Sequence, residues 1–340
     1  MPTPLAFEIV EDIVEYLDFE DVRSIARVCS MFQLPAQLRL FRTIRIVSNS
    51  YNTYPKPIEL ILSSLHLLQY TSRLLVSCSR SMEQTPIHSL WSHLPTMYRL
   101  RSMEIFLTPN DCSRALSVLE SLGSARDIAL SFRRNLAPDL LISDNPLPVH
   151  SLCLHVDAST HQMATRLVQK CSQSLRKLSL FLNDKTTPPL PFLPHLCEFS
   201  LQMGPHYVRD KGKEPDLMSW FPFLYQHPTI TRISLSHNFT LALQPPSNLL
   251  PNLQSLEAHP AIMARLIHGR PVNCITTKDS QYASCFPDDF LLWPLRQTVV
   301  SVTTFAIKTS TYFSNDLIIN IVQTLPKLRN FSFDWHSHGV

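Results

Sequence analysis

Glycine is nearly missing from this chain: five in 340 residues, at positions 123, 204, 212, 269 and 339. Phosphate-cradling loops and dinucleotide folds need closely spaced glycines, because only glycine lets the backbone come so near a ligand. No two of the five stand at such spacing, and no Gly-x-Ser-x-Gly elbow occurs. Charge is scarce too. Only 17% of residues are Asp, Glu, Lys or Arg, and the net charge is +3. With no Lys/Arg run interleaved with aromatics, a nucleic-acid partner is not expected. The eight cysteines include no C-x-x-C pair, which argues against a zinc knuckle or a redox dithiol. The close histidine pairs, His88/His93, His150/His155 and His336/His338, have no cysteine or carboxylate company at ligand spacing. No metal, cofactor or catalytic residue is therefore expected, and the chain does not read as an enzyme. No apolar run approaches the roughly 20 residues of a membrane span. The Met1-Pro2-Thr3 start has no secretory pattern. The expectation is a protein without a membrane partner, in the reducing cytoplasm or nucleus.

Apolar residues are plentiful at 44%, and 27 prolines punctuate the chain. The first 46 residues are dense in helical signals. Leu5, Ile9, Ile13 and Leu17 recur every four residues, and Val10 and Val14 widen the stripe. Asp18 suits an N-cap for a second helix, Glu20 and Asp21 suit its positive end, and Leu17 can staple onto Val22. Val22, Ile25, Ala26 and Cys29 make its apolar face. Ser30 with Gln33 is a candidate capping box for a third helix, whose start Pro35 also could mark. Leu38 and Phe41 would face inward. Three such short helices must lean on one another, on the following segment or on a partner.

The Leu5-Ala6-Phe7-Glu8-Ile9 opening, the Val28-Cys29 pair and the Leu40-Phe41 close together resemble an F-box. That module docks on the Skp adaptor of SCF-type cullin–RING ubiquitin ligases. The resemblance implies adaptor contact or module core for Leu5, Glu8, Ile9, Ile13, Leu17, Val28, Cys29 and Phe41. The sequence does not separate the two sets. Proline usually follows the opening leucine in the family, and this chain has Ala6.

Residues 47–57 are polar and proline-bearing and read as a linker. A helix is expected next, with Ile58, Ile61, Leu62, Leu65 and Leu68 on one face. From about residue 90 short period-two segments recur: Met103/Ile105/Leu107, Ile128/Leu130, Leu152/Leu154, Leu178/Leu180, Phe199/Leu201 and Ile233/Leu235. Leu253/Leu256 and Phe331/Phe333 read as later members. The anchors Ile105, Ile128, Leu152, Leu178, Phe199 and Ile233 are 23, 24, 26, 21 and 34 residues apart. Helical faces fit between them, at Cys112/Leu116/Leu119, Met163/Leu167, Leu217/Phe221/Leu224, Ile262/Leu266/Ile267 and Leu317/Ile321/Leu325. Most spacings match the 20–29-residue period of leucine-rich repeats. The pattern resembles the irregular repeats that follow many fungal F-boxes. Residues 270–312 are its weakest stretch, with Ile275 and Val302 as poor anchors. Cys153 and Cys197 read as small buried hydrophobes.

The expected fold class is α/β: a three-helix module (1–46), a linker and connecting helix (47–89), and an irregular solenoid of parallel strands with helices on the convex side (90–340). A compact α/β domain is the plainer alternative. The polar segment 204–216 accounts for the 34-residue spacing and could contact a target through Tyr207 and Arg209. The resemblance implies a substrate-recognition subunit of an SCF-type ligase, with the Skp adaptor and a target protein as partners. A ubiquitin-independent repeat scaffold with a degenerate F-box is the alternative.

Overall fold

Short alternating segments have one escape from exposing their backbone, which is to pair with one another. In the computed structural model they do so in parallel. The structure describes residues 6–48, 65–78, 92–107, 112–120, 127–132, 145–184, 187–203, 216–236, 239–241, 243–246, 248–278, 292, 294–309 and 315–335. The chain divides into two compact units, Met1–Ser151 and Leu152–Val340.

The first unit opens with α1 (Phe7–Tyr16), α2 (Phe19–Val28) and α3 (Ser30–Leu40). Asp18 caps α2 as expected, its Oδ1 accepting the Asp21 N–H at 2.8 Å. The expected Ser30/Gln33 box does not form. Cys29 stands at the N-cap without a side-chain cap bond, and Pro35 sits buried inside α3. The helices close on Val14, Val22 and Ala36, with Leu17, Ile25, Ala26, Phe32 and Leu40 packed around them. Each fully buried aliphatic side chain contributes roughly 1.5–3 kcal/mol, and so small a core gives a modest module.

Four parallel strands follow in chain order: β1 (Thr43–Ser48), β2 (Arg73–Cys78), β3 (Ser102–Leu107) and β4 (Asp127–Phe132). β1 and β2 add two strands ahead of residue 90, in a stretch where the sequence reading expects a module end and a linker. Leu65–Tyr70 is a 3₁₀ helix, and the rest of the expected connecting helix, residues 58–64, lies outside the described residues. Register stacks the apolar anchors: Ile44, Leu74, Met103 and Ile128 form one buried row, and Ile46, Val76, Ile105 and Leu130 the next. Helix α4 (Cys112–Glu120) crosses from β3 to β4.

The second unit carries β5 (Ser151–Val156), β6 (Lys177–Leu182), β7 (Glu198–Met203), β8 (Arg232–Leu235), β9 (Ser255–Ala258), β10 (Cys274–Lys278), β11 (Thr304–Thr309) and β12 (Asn330–Trp335), again in chain order. Leu178, Phe199, Ile233, Leu256, Ile275 and Phe305 form a continuous buried row. Ile275 is thus a full strand anchor despite its weak signal. Crossovers pass through α5 (His161–Cys171), α6 (Phe221–Gln226), α7 (Pro260–Leu266) and α8 (Asn315–Thr324). α5 buries Met163, Ala164, Leu167, Val168 and Cys171. The described residues therefore form an α/β protein whose sheet order equals chain order within each unit.

One backbone device sets the stacking. At the entries of β2, β3 and β7 to β12, two successive N–H groups aim at one carbonyl of the preceding repeat. Arg42 O receives Ser72 and Arg73, and Ser72 O receives Arg101 and Ser102. In the second unit the forked acceptors are Arg176, Cys197, Thr231, Gln254, Asn273 and Thr303. Hydroxyl or thiol side chains reinforce several forks: Ser72 Oγ, Cys197 Sγ, Thr231 Oγ1 and Thr303 Oγ1 each donate to the same carbonyl as their own N–H. Cys197 is accordingly half-buried at a fork, and Cys153 is half-buried too, where the sequence reading puts both in the core. Cys171 is the buried thiol among those described.

Candidate functional site

On α1 successive residues turn about 100° around the axis, so the wide apolar stripe divides. Val10 and Val14 go inward at 0% and 1% exposure. Ile9 and Ile13, one turn apart on the neighbouring face, stay outward at 49% and 38%, with Phe7 at 43%. Glu8 is exposed beside them. Leu17 packs on the module core instead. At the α2–α3 corner Val28 is 78% exposed, and Cys29 is exposed as well. Phe41 is half-buried as the C-cap of α3, its N–H bonded to Gln37 O at 2.9 Å. Leu5 lies outside the described residues. Of the eight residues expected at an adaptor interface or module core, Ile9 and Ile13 thus share an outward helix face. Leu17 belongs to the core. Phe7, Ile9 and Ile13 thus leave apolar side chains exposed on α1, where a partner can cover them.

The second candidate surface is the sheet face opposite the apolar rows in the second unit. Glu257 on β9 accepts from Lys308 Nζ at 2.8 Å and lies 3.5 Å from Lys278 Nζ. Lys278 also reaches Ser234 Oγ at 2.9 Å. Burial works to raise the Glu257 carboxyl. The Lys308 hydrogen bond and the charges of Lys278 and Lys308 outweigh it and hold the carboxyl below its ordinary value. Burial pushes Lys278 down, against the pull of Glu257. Further along the face Glu198 pairs with Lys177 and Arg232, at 3.4 and 3.2 Å. On β5 and β6 the rings of His155 and Phe181 stack at 4.6 Å, and burial lowers the His155 imidazole. The sequence reading missed this face. A usable signal was there: Glu257, Lys278 and Lys308 each directly follow an inward-facing strand residue, Leu256, Thr277 and Ile307. Tyr207 and Arg209, the expected target contacts, lie outside the described residues.

Among the described residues, no group of three His, Cys, Asp or Glu side chains could hold a metal ion. Cys171, the buried one of the described thiols, is pushed up to about 12 by burial, which disfavours its thiolate at neutral pH. No described helix is long and apolar enough to cross a membrane. The arrangement offers surfaces, one aliphatic and helical, one mixed in charge and built on strands. No family model matches the chain, and no curated protein matches it.

Proposed function

We propose that this protein is a substrate-recognition subunit of an SCF-type cullin–RING ubiquitin ligase. The three-helix module docks on a Skp adaptor, and the strand array holds a target protein. Catalysis then comes from proximity, because tethering raises the effective concentration of target lysines near the charged enzyme. In this role no residue of the chain need act as acid, base or nucleophile. One observation carries the reading: Ile9 and Ile13 stay solvent-facing on α1 although Val10 and Val14 already supply its inward face. The F-box resemblance of the opening segment and the irregular leucine-rich spacing of the strands support it.

The test is capture of a recombinant Skp adaptor by the full chain and by Ile9→Asp/Ile13→Asp. Retained structure with lost capture is the expected result. Undiminished capture by the double variant overturns the adaptor interface. Ala6 favours a second reading, a repeat scaffold whose F-box has lost adaptor contact. Capture of no adaptor by the folded wild-type chain supports that reading.

A further inference from the structure

We propose that a basic cleft in the first unit binds phosphate esters. The cleft, about 940 Å³, is walled by α1, the end of α3 and the turns entering β2 and β3. Arg39, Arg42, Arg99 and Arg101 line it, against two carboxylates among the described residues, Glu11 and Glu15. Glu15 is already engaged, accepting from Arg42 Nη1 at 2.8 Å. The Nη1 of Arg39 is shielded from solvent and has no hydrogen-bond acceptor. An N–H group without an acceptor is unfavourable, and Arg39 lines the cleft, where a shift of its side chain toward a bound oxyanion supplies one.

The arginines are held on fixed backbone. Arg99 and Arg101 flank the buried Leu100, and the Arg101 N–H is tied to Ser72 O at 2.9 Å in a strand-entry fork. Arg39 sits in the last turn of α3, and Arg42 follows it. Guanidinium groups present flat pairs of donors that match the edges of a phosphoryl group. A carboxylate has two oxygens to share among four such groups, and a phosphomonoester dianion has three and more charge. The volume exceeds that of one phosphate and admits the group that bears it. The ester can belong to a small molecule or to a phosphorylated side chain of another protein, since the recognised chemistry is the same. The inference stands apart from the adaptor reading, and no adaptor takes part in its test.

The test is calorimetric titration of the full chain at about 0.15 M salt, where exposed charges are largely screened. The probes are glycerol 2-phosphate and a neutral-sequence peptide with and without one phosphoserine. Saturable binding of a phosphorylated probe, and none of the plain peptide, is the expected result. Arg39→Gln and Arg101→Gln should each weaken it about tenfold or more, as loss of a charge-assisted pair does. Arg39→Lys should fall between, and Arg166→Gln, on the exposed side of α5, should leave affinity unchanged. Binding of both phosphorylated probes assigns a free ester, and binding of the phosphopeptide alone assigns a protein-borne one. Absence of saturable binding by either, or unaltered affinity in both glutamine variants, overturns the proposal. Arg101 is exposed, so its variant stays informative even where circular dichroism shows Arg39→Gln to be misfolded.

Discussion

The imidazole of His227 bridges two repeats, its Nε2 accepting the Leu193 N–H at 2.8 Å across a gap of 34 residues. An amide can only donate, so Nε2 is unprotonated and Nδ1 carries the hydrogen that faces Phe223 O at 2.6 Å. The ring is fully buried among Phe192 and Phe223. Burial holds its pKa below the ordinary histidine value, against the pull of the Phe223 carbonyl.

A pH dependence follows from this bond. The folded pKa lies below the unfolded one, so the neutral ring contributes its stability above about pH 6.5 and loses it as pH falls through the folded value. His155 acts with the same sign. The urea midpoint should therefore drop between pH 7.5 and 5.5. His227→Phe should reduce that drop while lowering stability at pH 7.5 by about 1–3 kcal/mol, the effect of an orphaned buried amide. An unaltered pH slope in the variant would remove His227 from the account.

Arg270 is a second buried polar clamp. Its guanidinium donates to the carbonyls of Leu249, Leu266, His268 and Pro246, all within 2.9 Å. Gly269, at φ 73°, makes the turn that delivers it. Arg270→Met should destabilise the chain by about 3 kcal/mol or more, read as a shifted denaturation midpoint. Arg270→Lys should recover little, because one ammonium cannot span four acceptors.

Glu257 reaches two lysines, on β10 and β11, across the open sheet face. Lys308 is 38% exposed, so water screens part of the interaction. Glu257→Gln should then lower stability by about 1 kcal/mol at low salt and by less at 1 M salt. The wild-type carboxyl contributes above about pH 4.5 and ceases to as pH falls through its depressed folded value, so acid melts should narrow the difference from the glutamine variant.

Ala6 occupies the N-cap of α1 with φ −63°, the angle a proline ring would impose. Ala6→Pro should fold normally by circular dichroism. If the module meets an adaptor, the added ring should raise adaptor affinity severalfold in a titration. A folded variant with no gain would favour the scaffold reading.

Legibility in the sequence followed local pattern. From β3 to β8 each strand carries two apolar anchors two residues apart between turn signals, and each was readable. β1 has the same Ile44/Ile46 alternation but abuts Leu40 and Phe41, so it merges with the end of α3. In β2 the run Leu74-Leu75-Val76 hides the alternation, because Leu75 fills a polar position. β10 offers Ile275 and then Thr277, a buried polar residue that gives no hydrophobic signal. On α1 the sequence marks a wide stripe and cannot say that Val10 and Val14 fill the core before Ile9 and Ile13 can. The arginine cleft was illegible for a different reason: its four guanidiniums come from stretches some 60 residues apart that only the strand register brings together.

The forked carbonyls have a consequence for how such a chain can change. Each fork joins backbone N–H groups to a backbone carbonyl, with side-chain hydroxyls or a thiol only reinforcing some, so the repeat keeps its gauge across very different loop lengths. The 34-residue interval from Phe199 to Ile233 ends on the same Cys197 fork geometry as the 21-residue interval before it ends on Arg176. Segments can lengthen, shorten or change character without shifting their neighbours' register. A protein built this way can exchange its contact surfaces piece by piece while its scaffold inherits nothing from the exchange.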